Sequence, residues 1–259
     1  MQGAFLRKAP RFRNISLQES CRTEVTEVSF MTLGSIFHDM WDIFVRYYIG
    51  EGLLWTGIGY TLLLSAIAVF FGAILGSLLA IGKMSRFRIL NFIITAFVEI
   101  MRGTPALLQL YIAYFIVPML LTSLNPTPIA CVAIGLTLNS AAYVSEIIRS
   151  GINAVDKGQT EAARALGLTS RTTMTKVVMP QAIKNILPAL GNEFITIIKE
   201  TSLASNFFVG ELMTTYAVIK GVTFNTVPTL MDIGIIYFVM TFSLSKLIGI
   251  AERRMKASA

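Results

Sequence analysis

Polar and ionisable side chains stand inside long apolar runs of this 259-residue chain, and these groups are the ones able to do chemistry there. Asn139, Tyr143 and Glu146 recur at intervals of four and three, so they share one face of a helix. A charge near the centre of a bilayer costs about 2.5 to 3.5 kcal/mol on insertion scales, so such groups are expected to face protein or water. For Glu146, which is close to the end of its run, anchoring at the membrane surface is the competing interpretation.

A second polar group lies deeper, in a later apolar run. Glu193, Thr196 and Glu200 share one helical face, and Lys199 lies on the adjacent face. Two interpretations stay open: an ion-pair network that latches a gate, or side chains that contact a transported solute. Both interpretations put these residues on a pathway through the membrane or at its gate.

The residue types needed for catalysis or metal binding are scarce. His38 is the only histidine, and no nucleophile–base pairing or metal-ligand spacing occurs, so no catalytic residue and no metal site is predicted. Cys21 and Cys131 lie in a polar leader and in an apolar run, which does not build a disulfide framework. The net charge of +7 comes from short basic clusters at the ends of apolar runs, and this indicates membrane topology rather than nucleic-acid binding.

The elements that position these side chains follow from the composition. Hydrophobic residues make up 54% of the chain and charged residues 14%, a balance that a soluble domain of this size does not carry. The predicted fold class is an all-α membrane protein of about five transmembrane helices in one domain. The apolar runs are residues 53–82, 89–121, 129–148, 186–209 and 229–251. Residues 210–228 are predicted to form a mixed loop.

Two local features refine this plan. Gly103-Thr104-Pro105 interrupts the second run, because proline removes a backbone donor and disfavours helix in the residue before it, so a kink or break near Thr104 is predicted. Glu99 and Arg102 beside it are expected to form an internal ion pair that supports the kink. Small residues at every fourth position from Ala68 to Ala80 predict a flat ridge for close helix packing.

The distribution of lysine and arginine fixes the expected orientation. These residues cluster after the first, third and fifth runs, and positive charge is retained on the cytoplasmic side, so the C-terminus is expected inside and the N-terminus outside. Residues 1–30 are expected to be a disordered extension, with Met31 as the natural start, and residues 31–52 a pre-membrane segment. The transmembrane domain is expected over 53–256, with a polar loop over 149–185.

The polar loop contains a short helix with its own start and stop signals. Thr160 is suited to cap the first free amides, Glu161 to the positive N-terminal end, and Gly167 to the left-handed position after the last turn. A second helix is predicted from about Thr172. The alanines of the first helix leave its faces nearly bare, so it is able to enter a groove on another protein. A capped amphipathic connector on the membrane surface is the competing interpretation.

The order Glu161-Ala-Ala, then Gly167, then Ile186-Leu-Pro resembles the EAA loop of ABC importer permeases. Segments 99–105, 141–149 and 199–203 look like the polar amino acid branch of that family. The resemblance covers roughly residues 53 to 256. It implies the type I importer fold, with a cytoplasmic coupling helix between spans three and four that docks on an ATP-binding subunit.

The resemblance also implies a role for the short loop helix. The residues expected to couple the chain to the ATPase are Glu161, Ala162, Ala163, Ala165, Leu166 and Gly167. The residues expected to line the substrate pathway or its gate follow instead from the polar positions inside the apolar runs, and they are Asn139, Tyr143, Glu146, Glu193, Thr196, Lys199 and Glu200.

The chain has no Gly-x4-Gly-Lys-Ser/Thr loop, since Met84 follows Gly82-Lys83. It is therefore not expected to be an enzyme: ATP and Mg belong to a partner subunit, and this chain binds no cofactor. The resemblance further implies a second permease copy or paralogue, an extracytoplasmic amino-acid-binding protein, an amino acid substrate and the inner membrane of a prokaryotic cell. The alternative is a gradient-driven secondary transporter or channel, in which the charges of the fourth span form an ion relay.

Overall fold

A computed structural model describes residues 33–85 and 87–257 of the chain. The expectations for residues 1–30 and for a start at Met31 lie outside this part. Within it the secondary structure is helical, which confirms the all-α class. In chain order the elements are α1 (Leu33–Ile43), a π-helical segment (Phe44–Gly50), α2 (Leu53–Lys83), α3 (Arg88–Gly103), α4 (Ala106–Leu120), a short 3-10 turn (Thr122–Leu124), α5 (Pro128–Asn153), α6 (Lys157–Ala165), α7 (Ser170–Thr173), a π-helical segment (Met174–Val178), α8 (Met179–Glu200), a 3-10 segment (Thr201–Phe207), α9 (Leu212–Thr223) and α10 (Thr226–Ala257).

Three helices of the described residues, α2, α5 and α10, are long and apolar enough to cross a membrane. Helices α3 and α4 pass the same test as a pair bent by 114°, and they add a fourth span if the pair crosses as one. Helix α8, expected as a span, carries several charges, including Glu193 and Lys199, and is not among them. The total of five spans therefore stays a prediction.

The predicted break of the second span is confirmed. Helix α3 ends at Gly103, and the extended backbone of Thr104 and Pro105 separates it from α4. The Gln109 side chain satisfies the carbonyls freed there: its Nε2 donates to Met101 O at 2.6 Å and to Thr104 O at 3.1 Å. A break inside a membrane persists only when such groups find partners, and here the protein itself supplies them.

The prediction of a mixed loop over residues 210–228 is wrong in one respect, because this segment contains helix α9. Glu211 begins this helix: its carboxylate accepts from the backbone N–H groups of Met213 and Thr214, each at 2.7 Å, and from the Tyr237 hydroxyl at 3.1 Å. Phe224, in the left-handed conformation at φ 57°, ends it. The helix is short and rich in threonine, so hydrophobic periodicity alone does not reveal it.

Helix α5 is the central element, and α2, α4 and α8 pack around it. The small-residue ridge of α2 is buried against it, which confirms the prediction of close packing. A Cβ placed on Gly76 would lie 2.7 Å from the carbonyl oxygen of Ala141, so the two backbones approach too closely for any larger residue. Leu64, Leu136 and Ile197 from three helices complete this core.

Candidate functional site

The connecting loop between α5 and α8 spans residues 154–178, because both helices continue into the 149–185 range expected for the loop. Its first helix, α6, begins one turn earlier than predicted. Asp156, not Thr160, is the N-cap, and its Oδ1 accepts from the Gly158 N–H at 2.6 Å. Both residue types cap helices well, so the sequence alone does not decide between two candidates four residues apart.

The predicted end of α6 is confirmed. Gly167 adopts φ +85°, its N–H donates to Arg164 O at 3.0 Å, and the Leu168 N–H donates to Ala163 O at 3.1 Å. This pair of hydrogen bonds is the Schellman motif, which requires a left-handed residue at the glycine position. The helix therefore stops at a fixed place and in a fixed direction.

Five of the six residues predicted to couple the chain to the ATPase are exposed, on α6 and the turn that follows it. Glu161, Ala162 and Ala165 are exposed, and Leu166 is 82% exposed at the helix end. Ala163 is only 5% exposed and packs inside the chain. Its small side chain lets α6 lie close to the rest of the loop.

Glu146 is the centre of a charge cluster at the end of the membrane-spanning part of α5. Its Oε1 accepts from Lys83 Nζ at 2.6 Å, and its Oε2 accepts from Arg149 Nε and a terminal guanidinium nitrogen at 2.9 and 2.7 Å. An Arg102 nitrogen lies 3.8 Å from the same Oε2. The Glu146 side chain is 13% exposed. The cluster connects the end of α2, through Lys83, and the last turn of α3, through Arg102, to α5.

The predicted ion pair between Glu99 and Arg102 is wrong. The Arg102 guanidinium approaches Glu146 and lies over the Tyr143 ring, 5.8 Å from the centroid, rather than pairing with Glu99 three residues earlier. Glu99 is exposed and interacts electrostatically with Arg149. The three-residue spacing of Glu99 and Arg102 predicted a pair within α3. The sequence did not show that Glu146, on α5, lies closer to Arg102.

The deeper predicted residues divide between the interior and the surface. Asn139 and Glu193 are 4% and 7% exposed, whereas Thr196 and Lys199 are exposed. Asn139 Nδ2 donates to Gln109 Oε1 at 2.8 Å, which ties it to the helix break. Glu193 lies beside Ser140 of α5.

Several buried polar atoms of α5 and α8 have no hydrogen-bond partner in the part of the chain that the structure describes. They are Asn139 Oδ1, Ser140 Oγ, Glu193 Oε1 and Glu200 Oε2. Buried polar atoms are normally paired, and each exception needs an explanation. We call this group the polar layer.

One outward side of α8, which we call the polar face, carries Asn185, Asn192, Thr196 and Lys199, all exposed. Their spacing of seven, four and three residues keeps them aligned along the helix. Ile183 and Leu187, on the opposite side, are exposed and apolar. No role for Asn185, Gln109 or Glu211 was predicted from the sequence. The seven-residue spacing between Asn185 and Asn192 was a usable signal, whereas the contacts of Gln109 and Glu211 could not be read from the sequence.

Comparison with known proteins identifies the family. A family model described as the inner membrane component of binding-protein-dependent transport systems matches residues 68–257. The chain belongs to this family. This permease is 40% identical over 202 residues to the arginine transport system permease protein ArtQ of Bacillus subtilis (strain 168), covering 78% of this chain and 92% of ArtQ. It is 36% identical over 226 residues to the L-cystine transport system permease protein TcyB of the same organism, covering 87% and 94%.

Solved structures agree with this assignment. A crystal structure of an amino acid ABC transporter with histidines matches 82% of this permease and 98% of the solved chain, with a TM-score of 0.76 and 41% identity. An inward-facing structure of the MetNI methionine ABC transporter matches 78% and 96%, with a TM-score of 0.66 and 19% identity, and shows the shared fold alone. The permease is thus a multi-pass membrane protein of the ABC importer fold.

Proposed function

We propose that this permease forms the translocation pathway of an ATP-driven importer of amino acids. The observation that carries the proposal is the polar face of α8 next to the polar layer. With α8 as the predicted fourth span, this row of exposed polar residues has to face water or protein rather than lipid. Relatives named for arginine and L-cystine transport support the substrate class. The polar face would then meet water, substrate and a second copy or paralogue of the permease.

ATP hydrolysis is assigned to a separate subunit that binds ATP and Mg. The exposed residues of α6, with Leu166 at its end, are the proposed contact for that subunit. An exposed leucine on a capped helix is suited to a pocket on a partner, because it buries apolar area without unfolding any part of the loop. An extracytoplasmic binding protein would deliver the amino acid from the opposite side. The C-terminus is proposed to lie in the cytoplasm and the N-terminus outside, in the inner membrane of a prokaryotic cell.

The proposed mechanism is alternating access. Helices α5 and α8 flank the connecting loop, so a displacement of α6 by the ATPase is passed to the two helices that carry the polar layer. The α6 contact must differ in free energy between the outward- and inward-facing states, since an equal contact shifts neither population. The Schellman turn at Gly167 fixes the direction in which α6 meets its partner.

The direct test is reconstitution of the permease with an ATP-binding subunit and a binding protein in vesicles. We expect uptake of arginine, histidine or cystine that depends on ATP. Leu166→Asp should abolish co-purification of the ATPase and uptake together, while Thr175→Asp, an exposed change elsewhere in the loop, should leave both intact. Gradient-driven uptake by the permease alone, without ATP, would instead favour the secondary transporter or channel.

A further inference from the structure

A concave pocket of about 430 Å³ lies at the loop-proximal end of the polar face, between the break after α3 and helices α5 and α8. Its polar wall consists of Arg102, Tyr143, Glu146, Arg149, Ser150 and Asn185. The rest of the wall is small or apolar. The volume falls within the range of small-molecule sites, so a single amino acid fits.

Arg102 has free donor capacity in this pocket. Its nearest carboxylate oxygen, on Glu146, is 3.8 Å away, which is beyond hydrogen-bond distance. Glu146 already accepts from Lys83 and Arg149. Among the described residues no acceptor forms a hydrogen bond with Arg102, and 38% of its side chain is exposed. An arginine presents up to five N–H donors in a planar fork, so the geometry leaves it able to bind a planar anion.

The charges around the pocket leave a positive surplus. Lys83, Arg102 and Arg149 face the Glu146 carboxylate, and Glu99 adds a second negative charge near Arg149. Three positive charges against two negative ones favour a monovalent anion as the missing partner. Neutral donors for such an anion are present on the same wall, in Ser150 and Asn185.

The position of the pocket decides which anion it meets. Asn185 is also the first residue of the polar face, so the pocket opens onto the same side of α8 as Asn192, Thr196 and Lys199. That side is unsuited to lipid because its exposed groups are polar. A dissolved solute on the proposed pathway is therefore the anion that this side of α8 favours, and the experiment below distinguishes it from a lipid phosphate.

We propose that Arg102, assisted by Ser150 and Asn185, binds the α-carboxylate of the amino acid at the inner end of the pathway before release. The proposal rests on the proposed import function and adds a second, exit-side position to it. Arg149 stays bound to Glu146 and contributes positive potential only. Because Glu146 remains close to Arg102, it competes for the guanidinium and keeps the carboxylate from binding too tightly to leave.

A site-specific protection experiment tests this. Ser150→Cys puts a thiol on the pocket wall, and its rate of reaction with an anionic methanethiosulfonate is measured in the reconstituted complex, with the unsubstituted chain as background for Cys21 and Cys131. We expect L-arginine or L-histidine to slow the reaction about fivefold, and their α-carboxamides, which lack the carboxylate, to have no effect. Gln181→Cys, an exposed position outside the pocket, should show no protection.

Arg102→Gln in the Ser150→Cys background should raise the amino acid concentration needed for half protection about tenfold, the effect of losing one charge-assisted hydrogen bond. Arg88→Gln, an exposed arginine at the start of α3, is the matched control. If Arg102→Gln lowers expression, Asn185→Asp serves instead, because a carboxylate on the same wall repels the substrate and should weaken protection similarly.

Protection that is equal for amino acid and amide, or unchanged by Arg102→Gln, overturns the proposal. Protection by phosphatidylglycerol in the vesicles but not by amino acids also overturns it, since the anion would then be a lipid phosphate. ATP-dependent uptake in the same vesicles separates this result from the proposed function: uptake without protection removes only the exit site, and loss of uptake by the unsubstituted chain removes the import function.

Discussion

Helices α2 and α8 present opposite chemistry to their surroundings. The outward side of α2 is apolar, with Phe70, Ile74 and Leu78 each about half exposed or more, and no charged residue occurs before its last residue, Lys83. Helix α8 carries polar groups along one side, among them Asn192 and Lys199. Apolar exposure on a long helix is what lipid stabilises, whereas a polar row needs water or protein. On the proposed function, the apolar side of α2 faces the bilayer and the polar side of α8 faces the pathway.

The largest expected effect comes from putting the same charge on each side. Ile74→Lys places an ammonium against lipid and should cost about 3 kcal/mol of insertion free energy. Thr196→Lys places it on the polar face and should cost little. The fraction of chain inserted, measured by protease protection in membranes, distinguishes them. Equal losses for the two variants would contradict the assignment of the two sides.

The next effect concerns the charge cluster around Glu146, next to the loop-proximal end of the polar face. Glu146→Ala leaves Lys83, 16% exposed, and Arg149 without their carboxylate. Unpairing a largely buried charge is strongly destabilising, and we expect about 2 kcal/mol here because Arg149 stays partly hydrated. A lower melting temperature of the purified permease would show it. Glu51→Ala, at an exposed carboxylate, is the control and should not change the melting temperature.

A smaller cost in stability is expected at the turn after α6. Gly167→Val forces a β-branched residue into φ +85°, which costs about 1 to 2 kcal/mol and tilts the helix end. Uptake per ATP hydrolysed should fall severalfold while the complex still assembles. Gly221→Val, in an open position of α9 with ordinary backbone angles, should keep wild-type coupling. Normal coupling in Gly167→Val would show that the direction of α6 does not matter.

The smallest stability effect is expected in the polar layer. Glu193→Gln keeps the shape of a buried side chain and should leave assembly and basal ATPase activity intact. If Glu193 contacts the amino acid in transit, the concentration for half-maximal uptake should rise about tenfold. Unchanged uptake kinetics would assign Glu193 to a structural or gating role and would restrict the pathway to the exposed side of α8.

Features set by neighbouring residues could be predicted from the sequence. Gly-Thr-Pro encodes the break because proline acts on its own backbone, and Gly167 encodes its turn because few other residues tolerate that φ. Features set by distant residues could not. Glu146 meets Lys83 across 63 positions, and the Thr61 hydroxyl accepts from the Leu212 N–H across 151. Helical periodicity identified the sides of α8, but it did not separate the buried Glu193 from the exposed Thr196, because that depends on where α5 lies.

The Gln109 amide has a mechanical consequence for the broken span. Its hydrogen bonds reach back to the end of α3 and across to Asn139 of α5, so one side chain links three helices around a corner of 114°. A chain break with free carbonyls would act as a hinge, but this corner is braced on both sides. Helices α3 and α4 should therefore move as a single L-shaped bracket fixed to α5. In the proposed mechanism, a rotation of α5 near the connecting loop would therefore carry α3 and α4 with it.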